Sequence, residues 1–268
     1  MNILIIGKPS KNLVSLLKQS KYADKIYAAL NENYNEFPVI KYKNFDELIK
    51  KALAIKIDIA INTDKNLIEQ GITEYFEQSR INLISVNKKW LKLETSRIRA
   101  KNLLSHYNIN TPKIIKTPLN FPIVIKTDSP GRDFVTYSMD ELIKQKEKLS
   151  GENVFLEEYM VGENFTLYAI WDKKNIKFFC ETDKLTEVQN DRLDLLKTKL
   201  NFMFSDENAN FIGIFAINLI WYKNDWYISE FEMGKEISET LFRNGSDTNN
   251  SDFLYILNTA IYQKLNEL

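Results

Sequence analysis

The chain of 268 residues contains one cysteine, Cys180, and one histidine, His106. A lone cysteine has no partner for an internal disulfide and cannot build a Cys-based zinc site. A lone histidine excludes His-rich metal centres and argues against a Ser-His-Asp arrangement. Net charge is missing too: 36 Lys and Arg balance 36 Asp and Glu, which removes the usual electrostatic case for a nucleic-acid or anionic-membrane partner. No apolar run approaches the ~18 residues needed to span a bilayer. Met1 to Gly7 is too short for a secretory leader and runs straight into a polar loop. The expectation is a soluble, cytoplasmic protein. What remains is globular composition, with 44% hydrophobic and 12% aromatic residues, so global disorder is excluded. At about 100–200 residues per domain, the length admits one large or two small domains.

Asn2 to Gly7 is a short β-branched run ending in glycine and predicts a buried parallel strand. Ser10 to Ser20 has helical spacing at Leu13, Val14, Leu16 and Leu17, with Ser10 as N-cap. The cycle repeats with strands at Lys25–Ala29, Ile57–Asn62 and Asn82–Val86 and helices at Phe45–Ile55 and Asn66–Gln78. A parallel, doubly wound sheet is therefore predicted over residues 1 to about 88. A basic helix follows at Ser96–Tyr107, which Pro112 prevents from continuing. Beyond it the pattern becomes α+β, largely antiparallel. Strands are predicted at Pro122–Thr127, Phe134–Tyr137 and Val154–Tyr159, then a β-rich stretch through Phe179. Helices are predicted at Asp140–Leu149 and Val188–Phe204, a hairpin at Ile212–Tyr222 and Trp226–Phe231, and a last helix from Asp252.

Three features carry chemistry. Lys126 ends an apolar strand beside a glycine turn, a placement that suits nucleotide phosphates, although a strand lysine reaching to solvent is the simpler account. The segment Phe155 to Thr166 places Glu157 and Glu158 just before an unpaired strand edge, where backbone groups can read an adenine; two exposed acids before a tight turn are the alternative. Alternation puts Glu230 and Glu232 on one strand face with Phe231 on the other, so the two carboxylates repel unless a cation sits between them. Mg²⁺ prefers such ligands together with phosphates, and a solvated acidic face is the competing reading.

These features occur in the order found in the ATP-grasp superfamily, and within it the chain most resembles phosphoribosylamine–glycine ligase. Leu93-Glu94-Thr95-Ser96-Arg97, Ala100-Lys101 and Tyr107 to Pro112 are similar to that family's LEGSK, AK and YGIPTA segments. The strand ending in Lys126 resembles PVVVKADG, Glu157 to Thr166 resembles EEFLxGEEFS, and Glu230 to Thr240 resembles EFNVRFGDPET. The resemblance implies a Rossmann-like parallel-sheet domain over 1–90 and an ATP-grasp domain over 91–268, with 113–170 as its small nucleotide-covering subdomain. A C-terminal domain of the family is not expected in the chain.

The implied cofactors are ATP and Mg²⁺ (or Mn²⁺), and the implied partners are small molecules, a carboxylate and an amine. The implied activity is ligation through an acyl phosphate, as in purine biosynthesis. Position by position, Lys126 is implied to contact the α- and β-phosphates, and Arg97 to stand at the family's first phosphate-binding lysine. Glu157, Glu158 and the backbone through Met160 are implied to form the adenine hinge, and Asn164 to lie at the ribose. Lys184 is implied near the γ-phosphate, and Glu230 and Glu232 at the metal.

The sequence departs from the family at several of these places. Glu232 replaces an asparagine, and Asn164 replaces the ribose-binding glutamate. The glycine-rich phosphate loop is shortened to Thr127–Asp133, where Asp128 and Asp133 repel phosphate unless Arg132 offsets them. The first loop, GSGGREHA in the family, is Gly7 to Val14 here. Leu30-Asn31-Glu32 replaces PGN, and the GPNTGGMG loop has no counterpart. Gly234 replaces an arginine for which Arg243 or Lys235 is a substitute. Three readings stay open: a ligase of the family type, a divergent ATP-grasp protein with other substrates, and a nucleotide-binding or scaffold protein without ligase activity.

Overall fold

The computed structural model describes residues 1–20, 22–179 and 185–234. Cys180, the stretch 244–251 and the helix expected from Asp252 lie outside them. The first half alternates strand and helix: β1 (Asn2–Ile6), α1 (Lys11–Gln19), β2 (Lys25–Ala29), β3 (Val39–Ile40), α2 (Phe45–Ala54), β4 (Ile59–Asn62), α3 (Lys65–Glu69), α4 (Ile72–Glu77) and β5 (Asn82–Ile84). All neighbouring strands here are parallel, in the order β3-β2-β1-β4-β5. Continuous Ile and Leu runs in β1 suit burial on both faces. Ile3 and Ile5 pack against Leu13, Leu16 and Leu17 of α1, whereas Leu4 and Ile6 pack against Leu48 of α2 and Ile72 and Phe76 of α4. Ser10 caps α1 as expected, accepting from the Leu13 N–H. The single helix expected over Asn66–Gln78 is two short helices, because Gly71 has φ +91° and ends the first.

The chain continues with α5 (Lys88–Thr95), α6 (Arg97–His106), β6 (Ile114–Ile115), β7 (Ile123–Thr127), β8 (Asp133–Thr136), α7 (Met139–Lys148), β9 (Val154–Glu158), β10 (Glu163–Asp172), β11 (Ile176–Phe179), α8 (Glu187–Asp206), β12 (Ile212–Tyr222) and β13 (Asp225–Met233). Strands β6, β9, β7 and β8 form a small antiparallel sheet, in that order. One of its faces is sealed by α7 through Ile123, Ile125, Leu142, Leu149 and Leu156.

The other sheet is not separate from the first. β12 pairs along its length with β10 on one edge; on the other it meets β5 at Ile212↔Ile84 and then β13. One nine-stranded sheet thus runs through both halves of the chain. Its largest apolar cluster lies beneath β10, β12 and β13, where α8 contributes Leu193, Leu196, Leu200, Met203 and Phe204. The β12–β13 hairpin closes on Lys223 and Asn224, at φ 49° and 59°, the two-residue turn whose twist matches paired strands. Beside it Trp221 packs across the strands on Trp226, with centroids 4.9 Å apart. No described helix is long and apolar enough to cross a membrane.

Candidate functional site

The site forms where the open face of the small sheet meets α6 and the end of β13. Alternation explains the small sheet's contribution. Ile123 and Ile125 of β7 and Leu156 of β9 point to α7, so Lys126 and Glu157 must point to the opposite face. Asp133, the first residue of β8, pairs directly with Lys126 and joins them there.

On α6 the buried positions are Arg97, Ala100, Lys101 and Leu104, the i, i+3, i+4, i+7 stripe of a helix face. The basic helix expected from sequence is therefore not basic on its solvent side alone, since two of its cations lie on the buried stripe. Ser96 caps this helix by accepting from Arg99 N–H. Asp128 supports it further: one carboxylate oxygen accepts from Ile98 N–H at 2.8 Å and the Ser96 hydroxyl donates to the same side chain at 3.1 Å. A carboxylate is favourable there because the helix N-terminus carries partial positive charge.

On β13 a bulge at Ser229, between the pairs Asn218↔Glu230 and Leu219↔Ile228, re-phases the strand. Before it Trp226 and Ile228 are buried; after it Phe231 and Met233 are, which leaves Glu230 and Glu232 on the site face.

Six charged groups interlock. Lys101 Nζ lies 2.6 Å from Glu157 Oε2, and Lys126 Nζ lies 3.2 Å from Glu157 Oε1. Glu230 Oε1 lies 3.4 Å from Lys126 Nζ and 2.7 Å from Arg97 Nη2. Arg97 donates to both Asp133 oxygens, at 2.6 and 3.3 Å, and to the Thr127 carbonyl at 3.1 Å. The Lys101 ammonium also donates to the Pro112 carbonyl at 2.7 Å and to Thr111 Oγ1 at 3.0 Å. Burial pulls this ammonium below the ordinary lysine value, against the opposite pull of Glu157. Glu157 is 3% exposed, and Arg97, Lys101 and Lys126 are 6–8% exposed. Charges so deep hold only because each has partners. Arg97 Nε is buried and has no hydrogen-bond partner among the described residues.

Glu232 extends the cluster along β13 and accepts from Asn218 Nδ2 at 2.9 Å; Asn218 Oδ1 in turn accepts from Thr166 at 3.0 Å. Three cations then face four carboxylates, so the cluster carries one negative charge in excess. Phosphate does not enter such a site unless a cation enters with it. Among the described residues no group of three or more metal-ligating side chains exists. Two carboxylates nonetheless suffice for Mg²⁺ when substrate phosphates supply the other oxygens. The donor set, oxygens beside two phosphate-type cations, fits a nucleotide with a divalent ion.

Of the expected hinge, the Glu157 side chain turns inward to the lysines, and Glu158 accepts from Lys113 N–H at 2.9 Å. Between β9 and β10 the backbone of Tyr159 to Gly162, including half-buried Met160, makes no hydrogen bond among the described residues. Gly162 is required there, because a Cβ would overlap the Trp221 carbonyl. Asn164 is exposed on β10, two residues before Thr166 and so on the same face.

Arg132 does not offset Asp128 and Asp133. It lies 3.6 Å from Glu152, while α6 holds Asp128 and Arg97 holds Asp133. Lys184, Arg243 and Lys235 lie outside the described residues. Sequence reasoning assigned no role to Lys101, Asn218 or Thr166. It also missed Glu94, which accepts from Met233 N–H at 2.6 Å and from Lys65, tying the end of β13 to α3. The available signals were helical spacing from Arg97 to Lys101 and the alternation of polar residues on β10 and β12.

No protein-family model matches the chain. Solved structures share its fold. Phosphoribosylamine–glycine ligase of Thermotoga maritima superposes on 94% of this chain and 76% of its own, at 17% identity and a TM-score of 0.65. D-alanine–D-alanine ligase of Bacillus anthracis covers 100% of this chain and 99% of its own, at 18% identity and a TM-score of 0.64. The biotin carboxylase domain of Hydrogenobacter thermophilus 2-oxoglutarate carboxylase, solved with MgADP and bicarbonate, covers 97% and 69%, at 12% identity and a TM-score of 0.69. The chain has the ATP-grasp fold. In sequence it is similar to phosphoribosylamine–glycine ligases. That of Fusobacterium nucleatum is 22% identical over 321 aligned positions, covering 100% of this chain and 75% of the relative. That of Caldanaerobacter subterraneus is 26% identical over 204 positions, covering 66% and 49%. The chain thus combines the ATP-grasp fold with a distant sequence likeness to this ligase.

Proposed function

We propose that the chain is an ATP-dependent carboxylate–amine ligase. Its nucleotide phosphates are held by Arg97 and Lys126, its divalent cation by Glu230 and Glu232, and its adenine by the backbone of Tyr159 to Gly162, with Asn164 toward the ribose. The observation that carries the reading is the convergence of two buried phosphate-type cations with a strand carboxylate, supplied by three different elements, Arg97 from α6, Lys126 from β7 and Glu230 from β13. In the proposed reaction a substrate carboxylate oxygen takes the γ-phosphoryl group and releases ADP. An amine then attacks the acyl carbon, forming the amide bond and expelling phosphate. A divalent cation bound here offsets phosphate charge. The chain's own contribution is positioning and neutralisation by Arg97 and Lys126. A role for Lys184 or Arg243 at the reacting groups is part of the same proposal. The similarity to phosphoribosylamine–glycine ligases makes glycine with a ribosylamine phosphate, as in purine synthesis, the first substrate pair to try.

Titration calorimetry of ATP with and without Mg²⁺ tests the nucleotide site. Wild type is expected to bind only with Mg²⁺. Lys126→Ala is expected to weaken binding about 10- to 100-fold, the worth of one charge-assisted contact. Glu230→Ala is expected to abolish the Mg²⁺ requirement together with tight binding. No binding by wild type at millimolar ATP would refute the reading. ADP release with carboxylate and amine pairs then reads the ligation step.

A further inference from the structure

Asp133 occupies an unusual place in the cluster. Its two oxygens take a guanidinium edge of Arg97, at 2.6 and 3.3 Å, and Oδ2 lies 3.8 Å from Lys126 Nζ. A carboxylate held this way has the geometry by which arginine holds a phosphoryl group. The two cations are nearly buried, whereas the Asp133 side chain is 34% exposed. Glu157 cannot leave, because it is buried between two lysines. Glu230 touches the same two cations, but through Oε1 alone. Asp133 therefore combines the fullest hold on Arg97 with the easiest exit to water.

The backbone around it is pinned. Asp133 pairs with Lys126 in the β7–β8 ladder, Thr127 Oγ1 donates to the Ser129 carbonyl at 2.6 Å, and Asp128 N–H donates to the Asn153 carbonyl at 2.8 Å. The Asp128 carboxylate meanwhile holds the turn to α6. The short loop does not have to move for the site to open, since rotation about the Asp133 Cα–Cβ bond releases both cations.

We propose that Asp133 is an internal anion that competes with phosphoryl oxygens for Arg97 and Lys126, and so sets the affinity of the site for its nucleotide. The inference rests on the nucleotide reading above and adds to it the residue that tunes binding. Displacement of one carboxylate by a phosphate is an exchange of anions on the same donors. The free site thus stays compensated while empty, at the cost of weaker nucleotide binding.

The test titrates inorganic tripolyphosphate in the presence of Mg²⁺, and MgATP, into wild type, Asp133→Asn, Asp133→Ser and Asp133→Glu, each checked for a cooperative thermal melt. The Asn and Ser variants are expected to bind tripolyphosphate and MgATP about tenfold tighter than wild type, about 1.4 kcal/mol. The Glu variant, which keeps the anion, is expected to stay within about threefold of wild type. If wild type binds MgATP and the Asn and Ser variants bind it no tighter, the competition is refuted while the nucleotide site stands. If they gain for tripolyphosphate but no form binds MgATP, the competition stands and the nucleotide reading falls. Binding of neither probe by any form overturns both, and an equal gain in the Glu variant overturns the competition.

Discussion

Replacing Lys101 by methionine isolates the buried half of the charged cluster. The Lys101 ammonium is 2.6 Å from Glu157 and also bonds the Pro112 carbonyl and Thr111. Methionine keeps most of the apolar stem and removes the charge. Glu157, 3% exposed, then keeps only Lys126 at 3.2 Å. Removing one partner of a buried pair costs about 3–5 kcal/mol, and the surviving lysine places this case near the lower end, about 3 kcal/mol. At about 2–4 °C per kcal/mol for a chain of this size, the melting temperature should fall by about 6–12 °C. The second consequence is functional: with Glu157 drawing on Lys126 alone, ATP binding should weaken as well. The pair Lys101→Met and Glu157→Gln should recover part of the loss, because no uncompensated buried carboxylate remains, and a double-mutant cycle by thermal melts should give a coupling of about 1–3 kcal/mol. A melting shift below about 2 °C for Lys101→Met, or strict additivity of the two substitutions, would refute the argument that these charges support each other.

Two further outcomes follow from the geometry. Asp128→Ala removes the carboxylate that accepts from Ile98 N–H at the start of α6 and should cost about 1–2 kcal/mol, read by chemical denaturation; a loss under about 0.5 kcal/mol would show that the cap is not used. Tyr107 donates to Asp206 at 2.6 Å, and this bond raises the phenol above its ordinary value. A raised folded-state value means stability that is complete below about pH 10 and lost as the pH climbs beyond it. Tyr107→Phe should therefore melt below wild type at pH 8, with the gap narrowing above pH 10; a gap independent of pH would contradict the assignment.

The local elements and one side of the site were legible in the residues. β-branched runs alternating with amphipathic segments define the parallel strands and their helices, since a buried strand and a one-sided helix each impose a period on apolar residues. The same period assigns Lys126 and Glu157 to the face opposite Ile123, Ile125 and Leu156, and Glu230 and Glu232 to the face opposite Phe231. The Gly71 break in the third helix was hidden because a single glycine does not force a positive φ. Strand β3, only two residues long, is too short to show a period at all.

What only the tertiary structure decided is which charges meet. Arg97 and Lys126 are 29 residues apart and Glu230 lies more than a hundred further on, and no local pattern encodes a distance between them. That Asp133 rests on Arg97 while Arg132 turns to Glu152, and that Asp128 serves a helix N-terminus, follows from packing α6 across the end of the small sheet. The joining of the two halves into one sheet depends on the short contact of Ile212 with Ile84 and Ser85, which neither strand announces. Periodicity is a property of a segment and its own burial. The partners of a buried charge are fixed by long-range contacts, because a charge removed from water takes whichever counter-charge the assembled fold brings within reach.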